Sequence, residues 1–390
     1  MSKILIGTSG WSYSDWENIF YKSGEHKLKQ YCKVFNTVEI DSTFYAYPNP
    51  DLVKGLSSST PEDFIFTAKL PSLITHDKML DISKGVEKDL DRFLELMHPI
   101  NKAGKLASLL IQLPPKYSYD KYFHRFKEFL KLTVGDYKYA VEFRDTSWLR
   151  EDVLELLSKY EIAYTIVDEP LLPPETYITT DFAYIRWHGR GRNPWYYYHY
   201  NLEELNEWKP RILEISENVE KVYGYFNNHF KGYAVHNALQ VLQILEIITP
   251  TQKKILEEVE KNLERIRIHQ PDLTLHLPPE KLPENVEELL LMLSDKMRLK
   301  RAKEITRELI VVGEETENYL SARVKDYNVV IDLERRIIFH DCADWSKIRF
   351  SLKFCKHINA LMLNIDKTYA KRILEDIVVN RSLWTFSEII

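Results

Sequence analysis

The chain has 390 residues, 44% hydrophobic, 28% charged and 13% aromatic, the composition of a folded protein with room for one large domain and a smaller one. A formal net charge of −5 gives no general pull on nucleic acid, so any such binding has to use local patches. No run approaches the roughly 18 apolar residues of a membrane span, MSKILIGTSG lacks a signal peptide's apolar core, and three cysteines argue against a disulfide framework, so a cytoplasmic protein without a membrane partner is expected.

In chain order, short apolar or β-branched runs alternate with longer amphipathic stretches. The runs are ILIGTS (4–9), VEID (38–41), FIFTAKL (64–70), SLLIQL (108–113), YAVEFR (139–144), AYTIVD (163–168), AYIRWHG (183–189) and VYGYFNN (222–228). Helical patterns such as KDLDRFLELMHPI and REDVLELLSKYE separate most of them, while Pro170, Pro173 and Pro174 predict a loop after Asp168. Eight such units predict an α/β fold, a (β/α)8 TIM-like barrel over 1–248, with a doubly wound open sheet as the alternative.

Most runs turn polar where they end: Ser9, Glu39 and Asp41, Lys69, Gln112, Glu142 and Arg144, Asp168, Arg186 and His188, Asn227 and Asn228. Alternation puts Glu39 with Asp41, Glu142 with Arg144, and Arg186 with His188 on shared strand faces. In a barrel those ends meet at the mouth, where active sites are built. Glu39, Glu142, His188 and Asp168 are the candidate catalytic groups. Asp41, Lys69, His76, Gln112, Arg144, Arg186, Arg190, Asn227 and Asn228 are candidates for substrate or anion binding. A divalent ion on the Glu and Asp oxygens is compatible with this set, though no spacing demands it. The loop RWHGRGRNPWYYYHYN adds Arg190 and Arg192 among aromatic side chains, a pattern suited either to stacking on bases or sugars or to packing under itself.

From Thr249 the pattern becomes helical, and 249–318 reads as a helical linker or small bundle containing the basic stretch KMRLKRAK. Residues 319–390 then read as a small ββα module. Strands at 327–332 and 336–339 form a hairpin, and a helix follows Cys355. This region holds His340-x-Cys342, twelve residues, then Cys355-x-His357. Two thiolates and two imidazoles are a ligand set for structural Zn2+; the alternative is a pair of inert buried thiols.

The motifs GTSGWSYSDW (7–16), VEIDSTFYAYP (38–48), FTAKLPSLITH (66–76), IQLPP (111–115), AVEFRDTSW (140–148), YIRWHGR (184–190) and YFNNHFKGYAVHNA (225–238) resemble the YecE-like family, also called the domain of unknown function number seventy-two, over about residues 3–245. That resemblance implies a TIM barrel and supplies no reaction. The cysteine–histidine pattern resembles the SWIM-type zinc finger over about 320–375, with His340 where that motif usually has cysteine. It implies docking on DNA or on a protein.

The combined expectation is a nucleic-acid-associated protein. Its barrel mouth binds or processes a phosphate-bearing substrate, as a nuclease or repair-type hydrolase would, and its zinc module docks on DNA, RNA or a protein partner. Two other expectations stand beside it: a hydrolase, lyase or isomerase for a small sugar or sugar phosphate, and a non-catalytic DNA-bound adaptor.

Overall fold

A computed structural model describes the chain apart from residues 1, 23, 192–196, 269–281, 350–351, 382–383 and 389–390. Two compact units emerge, 1–263 and 264–390.

In the first unit the eight apolar runs become eight parallel strands. They are β1 (Lys3–Thr8), β2 (Thr37–Ile40), β3 (Ile65–Lys69), β4 (Leu106–Gln112), β5 (Tyr139–Glu142), β6 (Ile162–Asp168), β7 (Phe182–Trp187) and β8 (Lys221–Phe226), hydrogen-bonded in the order β1-β8-β7-β6-β5-β4-β3-β2. Helices α1 (Lys27–Tyr31), α2 (Pro50–Ser59), α3 (Val86–Lys102), α4 (Tyr119–Leu130), α5 (Glu151–Lys159), α6 (Leu202–Asn206), α7 (Trp208–Asn218) and α8 (Tyr233–Ile244) alternate with them. The β6–β7 link is the proline-bearing loop the sequence predicts, without a helix. Amphipathic spacing explains the helices: α3 buries Val86, Leu90, Phe93, Met97 and Ile100, one stripe of a 3.6-residue period.

The sheet closes where β1 meets β2. Ser9 bridges to Glu39, and the Gly10 amide donates to the Glu39 carbonyl at 2.8 Å. The Tyr31 hydroxyl spans the seam, accepting from the Thr8 amide at 3.0 Å and lying 3.1 Å from the Thr37 carbonyl oxygen. The approach is so close that a Cβ on Gly7 would sit 2.3 Å from that carbonyl oxygen, which explains the glycine.

Side-chain alternation then fills the interior. Leu5, Leu110, Ala140, Ala163, Phe182, Tyr184, Tyr223 and Tyr225 form one buried cluster, with small alanines on β5 and β6 making room for the tyrosines of β7 and β8. Two residues further along each strand, the same inward face delivers Gln112, Glu142 and Arg186.

The second unit follows α9 (Pro250–Ile268), within which the division between the units falls. In 249–318, read from the sequence as helical, the structure has α10 (Val286–Leu293) and α11 (Lys296–Lys303) but also strand β9 (Ile310–Glu315). Asp295 ends the apparent continuous helix by capping α11, its side chain accepting from the Arg298 amide at 2.9 Å. With β10 (Tyr319–Val324), β11 (Tyr327–Asp332), β12 (Ile337–His340) and β13 (Thr385–Glu388), β9 forms a five-stranded sheet ordered β13-β12-β11-β10-β9. The expected hairpin is β11–β12, so the ββ pair of the sequence reading sits inside a larger sheet. Helices α12 (Ala343–Ile348), α13 (Lys356–Asn364) and α14 (Lys367–Val379) complete the unit. Leu289, Leu293, Leu299, Val329, Ile338, Ile358, Leu361 and Leu374 share its core, so helices and sheet fold as one layered body.

Among the described residues no helix is long and apolar enough to cross a membrane.

Candidate active site and candidate metal centre

At the mouth of the barrel, strand ends gather a buried charge network. Arg186 on β7 has no exposed surface; it donates through Nη1 to Glu142 Oε2 at 2.5 Å and through Nη2 to Glu39 Oε1 at 2.7 Å. Arg144, just past β5, donates through Nε to Glu142 Oε1 at 2.6 Å and through Nη1 to Glu169 Oε2 at 2.5 Å. Ser9 Oγ donates to Glu39 Oε1 at 2.5 Å, and the Tyr184 hydroxyl donates to Glu39 Oε2 at 2.7 Å. Both oxygens of Glu39 and of Glu142 are therefore occupied, as buried charges require. Burial pushes the Glu142 carboxyl up, but the Arg144 and Arg186 guanidiniums outweigh it and hold that group well below the usual carboxylate range.

Glu169 behaves differently. Its Oε2 accepts from Arg144, while its Oε1 is buried with no hydrogen-bond partner among the described residues. Burial pushes this carboxyl up to about 7, against the pull of Arg144 and with help from the Glu142 charge. Two neighbouring carboxyls thus have opposite protonation preferences.

His188 faces the same network. Its Nε2 lies 3.2 Å from Arg144 Nη2 and 3.3 Å from Arg186 Nη1, with Glu142 Oε2 the weaker contact at 3.4 Å. Two guanidinium groups thus face Nε2, and on the other side of the ring Asn227 Nδ2 lies 3.0 Å from Nδ1. Burial, then the Arg144 charge, lowers the imidazole to about 3. His188 is a fixed neutral acceptor, a poor proton donor or base near neutrality.

The other sequence candidates fall into two groups. Asp41 and Lys69 form an ion pair of 2.7 Å at the rim. The His76 ring stands edge-on to Phe44 at 4.9 Å, its Nδ1 2.9 Å from Thr75 Oγ1. Gln112 is paired in register with Glu142, and its buried Oε1 has no partner among the described residues. The remaining candidates are committed to structure. Asp168 accepts from Arg190 Nε and Nη2, both at 2.9 Å, and from Trp208 Nε1 at 2.7 Å, taking no part in the Glu142 network. Asn228 donates to the Tyr198 carbonyl and to Asn237 Oδ1, each at 2.8 Å, tying down the loop after β7. At the end of β7 Trp187 stacks on Phe226 at 4.5 Å, and in the loop Tyr197 meets Phe230 at 4.9 Å. Arg192, Trp195 and Tyr196 lie outside the described residues.

Glu169 is the residue the sequence reading missed. Counting by twos from inward-facing Ala163 gives Thr165, Val167 and Glu169, whereas Asp168 has the opposite parity. That count was available from the sequence.

Glu142, Glu169 and His188 bring ligand-type atoms within 4.8 Å of one another. The Arg144 and Arg186 guanidiniums that contact Glu142 and His188 set two positive charges against a divalent ion there.

In the second unit, His340, Cys342, Cys355 and His357 are all buried, with ligand atoms within 4.8 Å of one another. Strand β12 ends on His340, while Cys342 and Cys355 stand at the N-caps of α12 and α13. His340 Nδ1 donates to the Asn328 carbonyl at 2.6 Å, fixing the tautomer and leaving Nε2 buried with no partner among the described residues. Cys355 Sγ lies 3.9 Å from His357 Nδ1, close to the edge of roughly 3.5 Å that a tetrahedron with 2.0–2.3 Å bonds requires. The Cys355 thiol donating to it, aided by the two histidines, holds the Cys342 thiol far below its ordinary range, while burial and Cys342 push Cys355 up. An orphaned imidazole nitrogen beside a thiolate–thiol pair fits a metal ion, and these four residues could hold one.

The family model described as "Protein of unknown function DUF72" matches residues 5–261, ending before the second unit. The UPF0759 protein YunF of Bacillus subtilis is 29% identical over 270 residues, 63% of this chain and 95% of that protein. YecE of Escherichia coli K12 is 30% identical over 141 residues, 36% of this chain and 48% of that protein. Among solved structures, a DUF72 family protein from Thermotoga maritima is 33% identical with a TM-score of 0.55, over 63% of this chain and 99% of that one. A second, from Enterococcus faecalis, is 26% identical with a TM-score of 0.55, over 63% and 96%.

The Glu169 environment has a pH signature. Its folded pKa is raised from 4.5 to about 7, so the stability it contributes is complete below about 4.5 and is lost as pH rises through 7. Glu169→Gln, neutral at every pH, should therefore gain on the wild type by about 2 kcal/mol between pH 5 and pH 8 in denaturant unfolding. The His188 contribution has the opposite slope and is common to both proteins. A stability difference independent of pH would show that Glu169 titrates normally.

Proposed function

The chain belongs to the DUF72 family, and we propose that its barrel is a proton-transfer enzyme for a small phosphate-bearing substrate. The observation that carries this reading is Glu169: a buried carboxyl raised to about 7, with one free oxygen, beside a carboxylate held ionised. Carboxyl groups whose environments drive them apart are how acid–base sites are assembled. Glu169 is the acid or base. Glu142 and Glu39 keep the arginines in place, Arg144 orients Glu169, and Asn227 with His188 completes the floor.

Of the two substrate classes suggested by the sequence, the small sugar phosphate is favoured over a nucleic-acid strand. The reacting group lies deep in the barrel, and Arg186 has both Nη groups committed to carboxylates instead of standing ready for a phosphate backbone. The residues do not supply the metal cluster that nuclease chemistry of the two-metal kind needs.

Nucleic-acid or protein recognition then falls to the second unit, as a SWIM-type module with structural Zn2+ on His340, Cys342, Cys355 and His357. Bound zinc would supply cross-linking of the β12 end to the starts of α12 and α13. Its thiolate ligands call for a reducing compartment, in keeping with the cytoplasm.

Two experiments test this. Thermal-shift screening with sugar phosphates should find a stabilising ligand that Glu169→Gln still binds but no longer turns over, with kcat reduced by about 10²-fold or more. Full activity in that variant would remove Glu169 from the chemistry. Elemental analysis should give one zinc per chain, lost in Cys355→Ala; metal persisting in that variant would place an ion in the barrel and contradict the arginine-filled floor.

A further inference from the structure

At the rim, the turn after β3 is built unlike any other among the described residues of the barrel. Leu73–Asp77 is a π-helical turn, a rare form that recurs at functional sites. Directly after it, Met79 and Leu80 both take left-handed backbone angles, φ 54° and 56°, although both side chains are bulky and buried. Strain of this kind persists only where packing dictates the conformation, and here it follows directly on the turn that carries His76. The ring is held on one side by Phe44 and at Nδ1 by Thr75, whose own hydroxyl has the Pro71 carbonyl at 3.4 Å. Nδ1 thus has its partner in the Thr75 hydroxyl, while Nε2 has none among the described residues. Beside it, Lys69 Nζ lies 5.1 Å from the centre of the same Phe44 ring and spends one of its three donors on Asp41.

We propose that this turn is the phosphate-binding half of the site, where Lys69 and His76 receive the substrate's phosphate monoester and the His76 imidazole takes up a proton as the dianion enters. The charged groups acting on His76 are Lys69 from β3, Lys116 beyond β4, Arg144 beyond β5 and Asp77 on its own turn. Burial, and then three cations against one carboxylate, keep the free imidazole neutral, lowered to about 4. A dianion among those cations reverses the local field, so by linkage anion binding and His76 protonation strengthen each other. Lys69 can then donate to phosphate oxygens without drawing either arginine out of the buried network.

This inference rests on the mouth being the active site but not on Glu169 being the catalytic group. The test is an NMR titration of the full chain, with the His76 ring signal identified by its absence in His76→Asn, using inorganic phosphate and glucose 6-phosphate as probes. The expected result is a rise of at least about one unit in the His76 midpoint at saturating phosphate, with phosphate affinity reduced about tenfold in Lys69→Met. Glu169→Gln should show the same His76 response as the wild type. A His76 midpoint that does not move with either probe overturns the proposal even if Glu169→Gln has lost turnover, in which case the acid–base reading survives alone. An unchanged affinity in Lys69→Met overturns it as well.

Discussion

A guanidinium shut away from water has to be neutralised where it stands. Arg186 meets this condition at the centre of the barrel mouth, with Glu142 at 2.5 Å and Glu39 at 2.7 Å. Everything else at the mouth is arranged around that constraint. Glu39 also joins the seam between β1 and β2 through Ser9, so the charge network and the closing of the barrel share a residue. Glu142 reaches Arg144, and Arg144 reaches Glu169.

Counting charge along this chain explains the unusual member. Arg144 and Arg186 bring two positive charges, which Glu39 and Glu142 balance, and His188 stays neutral under the pressure of both guanidiniums. A third carboxylate would leave the buried cluster with an uncompensated negative charge. Glu169 is that third group, and holding its proton removes the excess. Glu169 therefore favours its protonated form up to near neutrality. The second unit solves a related problem in another way: its buried His340 Nε2 and paired cysteines are polar groups that one cation would satisfy together.

Much of this was legible in the sequence, and the reasons differ from place to place. Glu39, Glu142 and Arg186 could be assigned to the mouth because strand alternation is rigid and the runs end on them. The same alternation was not carried one residue past β6, so Asp168 stood in for Glu169; in the structure Asp168 anchors Arg190 and Trp208 instead. The roles of Arg144 and Arg186 could not be read, because sequence shows cations but not which carboxylates reach them. His340, Cys342, Cys355 and His357 were visible through their spacing, whereas strands β9, β10 and β13 were not. β9 alternates only weakly and ends in Gly313, Glu314 and Glu315, and β13 pairs with β12 from far along the chain. The strained turn carrying His76 has no sequence signal at all, since Met79 and Leu80 are residues that ordinarily avoid left-handed angles.

The measurement that bears most directly on the central claim is infrared difference spectroscopy of the wild type against Glu169→Gln near pH 6. The account predicts a protonated-carboxyl stretching band in the wild type that the substitution removes and that fades as pH rises through about 7. Absence of that band, with only ionised carboxylate signal lost on substitution, would mean that Glu169 is charged and that the buried network is balanced in some other way.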